Sequence, residues 1–184
     1  MKVKHIFLFV VLLLSTLVVV SHFNITTIFK CDNNEVVIGG SGGYPKSPVS
    51  LKMYDLLEKY SSEYDVPRYI AYNVAFLETR YQGPFDWSYD PYLTSSAGAV
   101  GPMQIMPSTA NYINKRKINK ETLKNDLELN IETSMKLLSK LYERYENWGV
   151  VCGCYNTGRP IVNGYAVFCS SNKNYRDNWI YVEN

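Results

Sequence analysis

The chain has 184 residues, 46% of them hydrophobic and 20% charged, with 19 Lys and Arg against 17 Asp and Glu. Two of those basic residues, Lys2 and Lys4, stand before residue 22, so the rest carries 17 basic against 17 acidic side chains and lacks the one-sided basic footprint of a nucleic-acid binder. Its two histidines, His5 and His22, both fall at the N-terminal end, which removes Ser-His and Cys-His nucleophilic dyads and His-ligated metal hydrolysis and leaves carboxylate chemistry as the natural candidate.

In chain order, a short basic start is followed by an apolar run over residues 6 to 20, the pattern of an export signal and shorter than the ~20 residues that span a bilayer comfortably. Residues 1–21 are therefore expected to be a signal peptide or an N-terminal membrane anchor. Residues 22–47 contain Asn33, Asn34 and the Gly-rich run 39–43 and predict a flexible linker. The remainder, 48–184, is long enough for one domain of ordinary size.

Within that domain Ser47 and Pro48 predict an N-cap and first helical position, and Leu51, Tyr54, Leu57 and Tyr60 mark a first amphipathic helix. A second helix opens at residues 65–67 and runs to a stop at Gly83 and Pro84. Residues 82–102, rich in turn formers and in Phe85, Trp87, Tyr89 and Tyr92, predict a long loop with a small hairpin. Pro107 starts another helix. Ile131, Met135, Leu138, Leu141, Tyr142 and Tyr145 give a strongly periodic one, and a short helix over residues 150–157 ends at Gly158. The expected fold class is mostly α, within α+β.

The second helix carries the most informative residue. At about 100° per residue, Ile70, Val74, Leu77 and Tyr81 form one stripe, and Glu78 falls beside it among Val74 and Ala71. Burial and the negative end of the helix dipole both raise a carboxyl's pKa there, and a carboxyl still protonated near neutral pH is suited to general acid work. The competing reading is a buried Glu satisfied by neighbouring donors.

Four cysteines, Cys31, Cys152, Cys154 and Cys169, follow the signal. In an oxidising compartment they predict a structural disulfide, from Cys169 to Cys152 or Cys154, rather than a redox site. A four-thiolate zinc site lacks the two Cys-x-x-Cys pairs it needs.

Three segments stand together: Glu78-Thr79-Arg80-Tyr81, the run over residues 97–110 containing Gly101-Pro102-Met103-Gln104, and Cys154-Tyr155-Asn156-Thr157-Gly158. In this order they resemble the soluble lytic transglycosylase family of peptidoglycan-cleaving enzymes, across roughly residues 51–181 and including Asn130 and Ile131. The resemblance implies a lysozyme-like helical domain with a small hairpin or long loop beside the cleft. Three departures mark this chain: Thr79 replaces a Ser, Pro102, which is expected to stiffen a strand entering the cleft, replaces a Leu, and Cys154 replaces an Ala. The loop over residues 82–94 also looks longer than the family's.

The implied activity is cleavage of the β-1,4 bond between N-acetylmuramic acid and N-acetylglucosamine with formation of a 1,6-anhydro end. Glu78 would protonate the glycosidic oxygen and then take the proton of the muramyl 6-hydroxyl. An internal nucleophile worth an effective ~10⁵ M or more stands in for a water, so one carboxylate suffices. Thr79, Met103, Gln104, Tyr155 and Asn156 are the expected substrate-side residues. Among them Gln104 and Asn156 suit acetamido groups, Met103 packs under the sugar, and Tyr155 either bonds Glu78 or stacks on a ring. Phe85, Trp87 and Tyr81 are candidate cleft walls, while Gly98, Gly101 and Gly158 serve backbone geometry.

No metal and no cofactor are expected. The expected partners are peptidoglycan glycan strands, with no nucleic acid, the membrane only through the N-terminal segment, and a secretion, conjugation or phage apparatus as a further candidate. The expected location is the periplasm or cell surface. Two other readings compete: a lysozyme-type muramidase using Asp86 or Asp90 to position water, and a non-catalytic glycan-binding assembly component, against which the cost of burying an acid argues.

Overall fold

A computed structural model describes residues 47–173 of the chain; the expected signal or anchor over 1–21, the expected linker up to residue 46, Cys31 and residues 174–184 lie outside the described residues. The described part is mostly helical, as the periodicity predicts. Its helices are α1 (Val49–Glu63), α2 (Arg68–Thr79), α3 (Pro107–Asn114), α4 (Lys120–Asn125), α5 (Leu127–Tyr145), α6 (Trp148–Thr157) and α7 (Gly164–Ser171). None is long and apolar enough to cross a membrane.

Most helix starts follow from a single side chain. Asn119, Asp126, Asn147 and Asn163 each sit one residue before a helix and accept the backbone N–H three positions on. Each such cap is worth about 1 kcal/mol, because it satisfies an otherwise orphaned amide. The first helix differs by one residue from expectation: extended Pro48 is the flanking residue and Val49 the first helical one, with no side-chain cap. The helices α4 and α7, of 6 and 8 residues, were not foreseen, being too short for apolar periodicity to register.

The core forms where α1, α2 and α5 meet. Met53 and Leu57 of α1, Ile70 and Val74 of α2, and Ile131, Met135 and Leu138 of α5 are all fully buried. Burying side chains of this size contributes about 1.5–3 kcal/mol each as an upper estimate. Polar ties reinforce the same junctions: the Tyr72 hydroxyl donates to Glu58 at 2.6 Å, and Lys59 and Tyr60 converge on Glu128 at 2.8 and 2.6 Å. Helix α7 packs on both α6 and α2, and α6 on α5.

Two local expectations are corrected. Helix α2 ends at Thr79, not at Gly83 and Pro84, because Arg80 takes the left-handed conformation (φ 61°) and its N–H closes on the Phe76 carbonyl at 2.8 Å. Tyr81 is thereby taken off the helical stripe, although it stays buried. The hairpin reduces to isolated bridges of Val100 with Thr94 and Ile105. The segment entering from residue 101 is a turn, so Pro102 stiffens a turn and not a strand.

The long loop is pinned at its base. The Tyr81 hydroxyl donates to the Ser50 carbonyl at 2.9 Å, and the Ser50 hydroxyl donates to the Pro84 carbonyl at 2.9 Å. Gly101 N–H donates to the Leu93 carbonyl at 3.0 Å at the other end.

Candidate active site

Glu78 stands in the last turn of α2, half-buried, with one described hydrogen bond: the Tyr165 hydroxyl of α7 donates to its Oε1 at 2.7 Å. Burial raises the Glu78 pKa above 4.5, and the Tyr165 hydrogen bond works in the opposite direction by stabilising the charged form. Burial wins. Tyr165 and Tyr155 have pKa values far above the ordinary phenol value, chiefly through burial and secondly through the Glu78 charge, so both stay neutral donors.

The turn over residues 101–104 is built from side chains that clasp its backbone. Asn130, fully buried near the start of α5, accepts the Met103 N–H at 3.1 Å and donates to the carbonyls of Val100 at 2.9 Å and Leu123 at 3.0 Å. Gly101 has φ 79°, and a side chain there would collide with the Asn130 amide, so both conformation and close approach demand glycine. The Met103 carbonyl accepts the Tyr155 hydroxyl at 2.7 Å, and the Pro102 carbonyl accepts that of Thr79 at 2.9 Å. Gln104 sits at φ 48°, its amide donating to the Gly101 carbonyl at 2.8 Å.

These contacts place the expected residues unevenly. Tyr155 does not bond Glu78; its hydroxyl is taken by the Met103 carbonyl and by Ser134 at 2.6 Å, and Tyr165 holds the acid instead. The Thr79 hydroxyl, next to Glu78, is occupied by the carbonyls of Ala75 and Pro102 and by the Tyr89 hydroxyl at 2.8 Å, so its described role is to tie α2 to the turn and the long loop. Met103 is wholly buried, as a packing residue should be. Asn156 is exposed, its Oδ1 accepting from Asn163 at 3.1 Å.

Tyr81 lies in the core, whereas Phe85 and Trp87 are 58% and 62% exposed on the loop. Asp86 accepts from Ser88 N–H and Oγ at 2.9 and 2.6 Å, and Asp90 accepts the Tyr92 N–H at 2.9 Å, so both loop acids cap turns of their own loop.

The residue that sequence reasoning missed is Tyr165. Its one available sign was Asn163 three positions before Ala166, the spacing of an N-cap, in a helix too short to show a face. The disulfide is resolved as Cys152 to Cys169, joining α6 to α7, while Cys154 is a buried free thiol. Among the described residues no group of three or more His, Cys, Asp or Glu side chains is gathered that could hold a metal ion.

The acid therefore stands at the end of a helix whose last residue, Thr79, bonds the Pro102 carbonyl of the glycine turn. Residues 55–167 match the transglycosylase SLT domain model, and the chain belongs to that family. Among solved structures it is similar to the 70 kDa soluble lytic transglycosylase of Escherichia coli, with 24% identity over 67% of this chain and 22% of that one and a TM-score of 0.50, a likeness of fold. A 70 kDa soluble lytic transglycosylase in complex with bulgecin A gives 26% identity, 65% and 19% coverage and a TM-score of 0.49. The chain thus spans about a fifth of the length of these structures. No curated protein matches it.

Proposed function

We propose that this chain is an exported peptidoglycan lytic transglycosylase that cleaves the bond between N-acetylmuramic acid and N-acetylglucosamine and leaves a 1,6-anhydro-muramyl end. The observation that carries the reading is the Glu78 carboxyl, whose pKa burial raises and whose one described donor is Tyr165. Such a group is protonated above the usual carboxylate range and is oriented for transfer to a leaving oxygen.

In this mechanism Glu78 protonates the glycosidic oxygen, then accepts the proton of the muramyl 6-hydroxyl as that oxygen closes on C1. The departing proton and the returning one use the same carboxyl, so the residue ends the cycle as it began. Gln104 and Asn156 offer amide groups to the acetamido substituents. Family membership supports peptidoglycan as substrate, and the N-terminal pattern supports action in the periplasm or at the cell surface.

The muramidase alternative needs a second carboxylate that positions water. Asp86 and Asp90 spend their described bonds on their own loop, which favours the transglycosylase reading. The test is mass spectrometry of muropeptides released by the purified full chain. Products lighter by one water than lysozyme products and resistant to borohydride are expected, with kcat kept within about twofold in the Asp86→Asn, Asp90→Asn double variant. Reducible muramic ends, with kcat lost in that variant, would overturn the assignment.

A further inference from the structure

The Glu78 carboxyl belongs to α2, but the hydroxyl that orients it belongs to α7, and α7 is a short element. It has eight residues, short of the ~12–15 at which a helix in water becomes even marginally stable, so its position depends on what ties it to the rest. The ties are few. Asn163 caps its first turn, accepting the Ala166 N–H at 2.9 Å. The Asn73 amide of α2 donates to the carbonyls of Cys169 at 2.9 Å and Asn172 at 2.8 Å, and the Phe168 ring stacks on Phe76 with centroids 5.7 Å apart. The covalent tie is the Cys152–Cys169 disulfide to α6.

Tyr165 and Cys169 are four residues apart on that helix, one turn, so they lie on the same face. The face that presents the phenol to Glu78 is therefore the one the disulfide fastens. Helix α6, at the other end of the bond, carries Tyr155 three residues after Cys152, and the Tyr155 hydroxyl supports the Met103 carbonyl at 2.7 Å. One cross-link thus joins the helix that orients the acid to the helix that supports the glycine turn.

We propose that the Cys152–Cys169 disulfide arms the active site, fixing α7 so that Tyr165 holds Glu78, and that the chain reaches full activity only after oxidation outside a reducing compartment. The proposal rests on the transglycosylase reading. Arming is a thiol–disulfide exchange with a protein disulfide as oxidant: one of the two cysteine thiolates attacks that disulfide and releases a donor thiolate. The other thiolate then attacks the mixed disulfide and expels the second. The two cysteines lose two electrons and two protons, and the donor leaves as a dithiol. Both cysteines are wholly buried in the finished fold, so exchange belongs to the folding chain, and the completed bond is shielded from later reduction.

The test compares the full chain, oxidised and after reduction with a phosphine during refolding, by muropeptide release and by amide hydrogen exchange. Reduction is expected to lower kcat about tenfold or more while leaving KM for glycan within about twofold, as loss of an orienting contact does. Residues 164–171 should exchange at least about tenfold faster, with α1 and α5 unchanged. The Cys152→Ser, Cys169→Ser double variant should match the reduced chain and no longer respond to reductant, whereas Cys154→Ala should keep the response. Equal kcat in the two redox states, or equal protection of α7, would overturn the proposal. Exchange accelerating everywhere would also overturn it, because the bond would then act through global stability. If the oxidised chain releases no muropeptide, the transglycosylase reading falls, and the exchange comparison still decides whether the bond fixes α7.

Discussion

Asn130, Tyr155, Thr79 and the Gln104 amide all grip the backbone of the 101–104 turn or the Val100 carbonyl before it, whereas the Glu78 carboxyl has one described donor. Under the proposed mechanism the two regions have different tasks. A surface against which a sugar is laid would not change during the reaction, so every fixed bond would improve it. An acid that gives up and regains a proton must be stable in both charge states. Each extra donor aimed at its oxygens would favour the carboxylate and pull the pKa down, undoing the effect of burial. Sparse holding is therefore a condition of its chemistry, and dense holding is a condition of the turn's.

The largest expected effect breaks the acid alone. Glu78→Gln keeps the shape and the acceptor for Tyr165 but no transferable proton, and muropeptide release should fall by about 10³-fold or more. Stability should move the other way. A buried carboxyl whose folded pKa lies above its unfolded value ionises first in the unfolded chain, so stability falls as pH rises from the unfolded pKa through the folded one. Removing the group should raise Tm by a few degrees at neutral pH, with the gain shrinking towards pH 4. Thermal melts across that range check it, and a lowered Tm at neutral pH would count against a raised Glu78 pKa.

A second variant breaks the turn. Asn130→Ala leaves the Met103 N–H and two carbonyls without their partner and should cost about 3 kcal/mol, which urea unfolding would read. Activity per folded molecule should fall as well, because the turn loses its support. A variant of native stability would show that the clasp is not what fixes the turn.

The smallest change sharpens the contrast. Tyr165→Phe removes the one described donor to Glu78 and should lower kcat about tenfold while costing no more than about 1 kcal/mol of stability. The donor had favoured the charged form, so its loss raises the Glu78 pKa further, and the basic limb of the pH profile should shift to higher pH. A limb that stays in place would separate Tyr165 from the acid.

Much of this site was legible in the sequence because its parts sit on long or strongly marked elements. Glu78 announced itself as an acid among Ala71, Val74 and Ala75, and Gly101 as a glycine before Met103 and Gln104. What stayed hidden depended on contacts between distant short segments. Tyr165 lies 87 positions from Glu78 on a helix of two turns, and no local pattern could pair them. Nor could spacing choose between Cys152 and Cys154, since that choice is made by the way α6 is rotated against α7. The end of α2 was misplaced because left-handed Arg80 is a conformation its side chain does not advertise.

The bonds around Ser50 separate two boundaries that are easily taken for one. The family match begins at residue 55, but Ser50 holds Tyr81 and Pro84 through its carbonyl and hydroxyl, and those residues lead directly out of the helix that bears Glu78. Homology thus starts later than the folding unit does. A fragment cut at the edge of the recognisable domain would discard the first six residues of α1 and, with them, the strap on the loop leaving the acid. A minimal expression fragment has to begin ahead of Val49, and a tag or fusion partner belongs further upstream still.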